Sequence, residues 1–146
     1  MSNFLHIDTE IANEIPNAED VKAAPADEYT LAMIGYRTNE AGSFILTNNS
    51  GDPYIMPEFE IVNHPEAESF KSINQYIGIP TKGMSPKRLK MAMAEFRRFC
   101  ESFRIDPTSD IDLQDALNLE ANAILTYENS DNFGEQNRVK RFLGPA

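Results

Sequence analysis

The chain has 146 residues, enough for one well-filled core and too few for two comfortable domains. With 41% hydrophobic and 25% charged residues, no apolar run near the ~20 residues of a membrane helix and no basic-then-apolar leader, the sequence predicts a soluble, cytoplasmic protein. A net charge of −10 argues against loose, salt-driven binding to duplex DNA, and a lone cysteine excludes an internal disulfide.

Residues 1–26 carry Asp8, Glu10, Glu14, Glu19 and Asp20 against Lys22 alone, and end in a stretch of Ala and Pro. This composition predicts a solvated acidic arm with a short helix before Pro16, ahead of one folded domain over 27–146. Two roles fit such an arm: a plain solvated tail, or a segment that competes for a basic face or recruits partners.

From 28 to 37 the chain reads as a strand, with Tyr29, Leu31 and Met33 on one side. Turn chemistry over 38–42, a short strand over 43–47 and the loop 48–53 follow. Residues 54–62 alternate Ile55, Phe59 and Ile61 against Glu58 and Glu60, with Pro57 suggesting an edge or a bulge, and 70–79 is a further strand of imperfect period. The sequon at Asn48 carries little weight without a secretion signal.

The segment 85–104 is the clearest helix. Ser85 can cap the first turn and Pro86 suits the first helical position, while Leu89, Met93, Phe96, Phe99, Cys100 and Phe103 recur at three- and four-residue steps. Cys100 on that stripe is expected to be a small buried hydrophobe. Residues 82–104 hold seven basic side chains and two acids, whereas 105–137 hold eight acids and no base. After a short acidic helix or turn over 110–119, strands are expected over 121–128 and 137–143, the last with a basic face. The tally of short strands and one main helix predicts an α+β fold, a small antiparallel OB-like β-barrel of about five to six strands.

Three stretches, PEFEIVNHPEAESFKSINQYIGIP, MAMAEFRRFCESFRI and AILTYENSDNFGEQNRVKRFLGP, resemble a bacteriophage domain-of-unknown-function family encoded among replication and recombination genes. The resemblance spans about residues 28–145. It implies an OB-fold single-stranded-DNA-binding protein of the host cytoplasm, with replication or recombination proteins as further partners, no membrane, and a homo-oligomer left open.

Single-strand binding asks for a positive track along the phosphates and aromatic faces for bases, each stack worth roughly 1–3 kcal/mol. Candidates for the track are Lys71, Lys82, Lys87, Arg88 and Lys90, and on the final strand Arg138, Lys140 and Arg141. Candidates for stacking include Tyr36, Tyr54 and Tyr76, although most aromatics belong in the core. Arg97 and Arg98 read as the solvated outer face of the helix. A segregated basic strip can act on an acidic protein because exposed charges are screened over about 8 Å at physiological salt.

No catalytic signature is present. His6 and His64 stand far apart, no phosphate-binding glycine loop or Cys-x-x-Cys occurs, and Asp110, Asp112 and Asp115 lack the rest of a calcium loop, which leaves them as capping acids. No cofactor, metal or enzymatic turnover is expected. The alternative from another class is an assembly protein that presents its acidic surface to a basic partner.

Overall fold

The computed structural model describes residues 3–146. Alternating apolar residues place β1 (Asp27–Tyr36) at the centre of a five-stranded antiparallel sheet, with Leu31 and Met33 fully buried. It pairs with β4 (Pro57–Val62) on one side and β7 (Glu120–Ser130) on the other. The outer strands are β5 (Ile73–Asn74), beyond β4, and the long β8 (Gly134–Pro145), beyond β7. A register shift between Met33 and Gly35 makes Ile34 the extra residue of a bulge, which adds local twist to the middle of the sheet.

A second, three-stranded sheet contains β2 (Leu46–Thr47), β3 (Pro53–Ile55) and β6 (Ile77–Gly78). The two sheets share one bent hairpin. Tyr54 faces Gly78 and Ile55 faces Ile77 in the small sheet, then Glu58 faces Asn74 and Phe59 faces Ile73 in the large one, all in a single register. The ladder breaks between them at Met56 opposite Gln75–Tyr76, where Gln75 N–H still donates to the Pro57 carbonyl at 3.1 Å. The strands expected over 54–62 and 70–79 are therefore each split in two. Pro57 supplies the physical reason, since it has no N–H to continue the ladder.

The closed barrel expected from the strand tally does not form. The five-stranded sheet curls until β5 lies beside β8, yet no backbone ladder joins them. Side chains bridge the seam instead: Lys71 Nζ donates to the Glu135 carbonyl at 3.2 Å, and Val139 N–H donates to Gln75 Oε1 at 3.0 Å. With only two residues, β5 is too short to complete a ladder against the twelve residues of β8.

One end of the seam is filled by the end of the acidic arm. Lys22 pairs in parallel with Phe70, its N–H on the Ser69 carbonyl at 2.9 Å and its carbonyl accepting from Lys71 N–H at 2.8 Å. Two residues on, the backbone of fully buried Ala24 is held by the Asn137 carboxamide of β8, through N–H to Oδ1 at 2.9 Å and Nδ2–H to the carbonyl at 2.8 Å. The Tyr29 hydroxyl adds a bond to the Pro25 carbonyl at 2.7 Å. The arm assigned to residues 1–26 is thus docked from Lys22 onward. Its earlier part forms α1 (Thr9–Glu14), capped by Asp8, and one 3-10 turn (Ile15–Asn17), neither of which buries a residue.

The main helix, α2 (Pro86–Phe103), starts as its sequence dictates, with the Ser85 hydroxyl accepting from Arg88 N–H at 3.4 Å and proline in the first turn. Only its C-terminal half enters the core, where it buries Phe99, Cys100 and Phe103; Met93, assigned to the apolar stripe, is half exposed. There Phe103 stacks on Phe59 at 5.5 Å between centroids, and Phe142 of β8 meets Phe59, Phe99 and Phe103 edge-on. Each buried phenylalanine contributes about 1.5–3 kcal/mol. Burial, with smaller help from Asp106 and Glu101, pushes the Cys100 thiol up to about 11, so at neutral pH it is protonated and inert.

Candidate nucleic-acid interface

Beyond the strap at Ala24, the β5–β8 seam stays open as a trough. A cleft of about 390 Å³ is lined by Arg37, Lys71, Gln75, Tyr76, Asn137 and Arg138 among others. A second of about 180 Å³ is lined by Gln75, Tyr76, Glu95, Arg98, Lys140 and Arg141 among others. Gln75 and Tyr76 border both, so the two clefts adjoin along β8, with the Gln75–Val139 bond crossing the seam between them. Their walls carry six basic side chains and a single acid, Glu95, on a chain whose net charge is −10.

The basic residues converge because topology, not sequence distance, sets the walls. Arg37 follows the end of β1, its N–H on the Met56 carbonyl at 2.9 Å. Lys71 precedes β5, Arg98 lies on α2, and Arg138, Lys140 and Arg141 lie on β8. Arg138 is partly answered by Glu128 at 3.5 Å, a solvent-exposed pair worth little. Four of the six are arginines, whose planar forks match phosphate oxygens.

Tyr76 stands where the clefts meet. The residue is 46% exposed and its ring lies on Tyr54, with centroids 4.5 Å apart and planes 24° from parallel. Its hydroxyl accepts from Asn48 Nδ2 at 3.2 Å, and Asn48 is fixed in turn by accepting from the Ser50 and Asp52 N–H groups, both at 2.9 Å. An exposed ring held by a second ring and a turn is a pre-set surface for a flat base, with little ordering left to do on contact.

Of the residues singled out from the sequence, Lys71, Tyr76, Arg138, Lys140 and Arg141 line the trough, and Tyr54 supports it from behind. Tyr36 lies elsewhere: its hydroxyl donates to the Leu113 carbonyl at 2.9 Å, its ring packs on Phe44, and burial raises its pKa to about 12. Lys82, in the turn before α2, and Lys87 and Lys90, at its start, are exposed outside both clefts, and Arg88 there is paired with Asp52. Arg37, Gln75 and Arg98 are trough residues that the sequence did not mark. Arg98 read as solvated helix surface, and only the packing of α2 beside β8 brings it to the cleft.

Other chemistry-bearing residues are accounted for locally. His64 packs beside the rings of Tyr29 and Phe70, at 5.6 and 5.2 Å, and its Nδ1 accepts from Glu66 N–H. Asp112 caps a turn through Gln114 N–H, and Asp106, held below the usual carboxylate range by Thr108, caps another. Among the described residues no group of three or more His, Cys, Asp or Glu side chains could hold a metal ion, and no helix is long and apolar enough to cross a membrane. Neither protein-family models nor curated protein sequences give a match to this chain.

Proposed function

We propose that the protein binds single-stranded DNA along the β5–β8 seam, largely without regard to sequence, with phosphates on the arginines and lysines of the trough and a base on Tyr76. The observation that carries this reading is the adjoining pair of clefts with six basic residues, one acid and a supported, exposed tyrosine on their common border. The curled sheet then serves as an OB-like platform left open along one edge. A place in phage replication or recombination follows from the family resemblance of the three stretches, and the chemistry needs no cofactor.

Fluorescence anisotropy with labelled oligo-dT tests this. Binding should weaken as salt rises, and Tyr76→Ala should cost about 5–150-fold in affinity with little change in the salt dependence, because it removes a stack and no charge. Absence of binding at low salt, or an unchanged affinity in the variant, would favour the alternative of an assembly protein that uses its acidic surface.

A further inference from the structure

The acidic arm and the basic trough are complementary, and they are joined at the trough's own end. Residues 8–20 hold Asp8, Glu10, Glu14, Glu19 and Asp20 with no lysine or arginine, a charge of −5. The trough walls carry six bases and one acid, a balance of +5. The arm enters the fold at Lys22 and Ala24, which bond to Lys71 and Asn137, and both of these line the larger cleft. Among the described residues none from the arm lines either cleft, and α1 and the turn after it bury nothing, so residues 8–20 stand off the trough in this structure.

Resting on the single-strand reading above, we propose that residues 8–20 compete in cis with the polynucleotide for the seam trough. Reach is ample. From Lys22, where the arm is fixed, back to Glu14 the chain can extend roughly 26 Å, whereas Asn137 to Arg141 along β8 spans roughly 13 Å. A tether this short gives an effective concentration on the order of millimolar, so even a weak electrostatic contact is populated at low salt. Apparent affinity then falls by the fraction of time that the trough is free. Short or poorly charged strands are turned away, and a longer strand that reaches more of the walls displaces the arm.

The test places a nitroxide at Asn13→Cys in a Cys100→Ala background of the full chain and reads paramagnetic broadening of the Arg138, Lys140 and Arg141 amides. A second protein carries the same label with all five arm acids changed to Asn or Gln, which reports the proximity that tethering alone produces. At low salt the acidic arm should broaden these amides at least twofold more than the neutral arm, and saturating oligo-dT should remove the excess. Equal broadening in the two proteins overturns the proposal even if oligo-dT binds, as does excess broadening that persists with the strand bound. Excess broadening together with no oligo-dT binding overturns the single-strand reading and, with it, the competition, while leaving the arm's contact in place.

Discussion

Changing Arg138, Lys140 and Arg141 together to Ala is expected to weaken oligo-dT binding by roughly 500-fold at 50 mM salt. The size follows from counterion release: each phosphate contact on a single strand contributes about 0.7 to the slope of log affinity against log salt, and at this salt that is nearly one decade per contact. The same variant should flatten the slope by about 2 units. All three side chains are exposed, and the Glu128 pair is the one ion pair lost, so thermal stability should hardly move. Changing Lys82, Lys87 and Lys90 to Ala removes the same charge from outside the clefts and should cost less than about tenfold, through the long-range field alone. Equal losses in the two triple variants would show that net charge, not the trough, governs binding.

Asn137→Ala is expected to destabilise the fold by about 2–4 kcal/mol, which lowers the melting temperature by roughly 4–16 °C for a chain of this size. The carboxamide is buried and makes three bonds, to Ala24 N–H, the Ala24 carbonyl and the Thr126 carbonyl. Alanine would leave the fully buried Ala24 donor and acceptor without partners, and an unmade buried bond costs more than a made one contributes. Among the described residues every buried side-chain nitrogen and oxygen has a partner, whereas this variant would strip backbone groups of theirs. Chemical denaturation gives the loss directly, and amide exchange at Ala24 should speed up more than at Leu31 in the core. A loss under about 0.5 kcal/mol would mean that the strap does not hold the seam.

How much of this was legible in the sequence depends on whether the signal was local. The α2 start was written in Ser85-Pro86, and β1 in the alternation of Tyr29, Leu31 and Met33, because capping and strand periodicity are properties of adjacent residues. The basic face of β8 could be read from Arg138, Lys140 and Arg141 against an acidic background. Barrel closure could not, since it depends on whether two edges separated by the whole domain find each other, and β5 offers too few residues to do so. The docking of Lys22–Ala24 was equally hidden: two alanines between a lysine and a proline carry no pattern, and Ala24's partner Asn137 lies 113 positions away. Arg98 and Lys87 show the same limit at the site. Both lie on one basic helix, and only the crossing of α2 with β8 separates the one that meets the trough from the one that does not.

On the proposed reading a single strand lies in the trough along β5 and β8 and on no other surface. A backbone amide footprint of the full chain titrated with short oligo-dT tests it most directly. The largest shifts are expected at Lys71, Gln75, Tyr76 and residues 136–142, with small ones at the start of α2 and over 106–119. Shifts centred on Lys82–Lys90, or none at saturating strand, would contradict it.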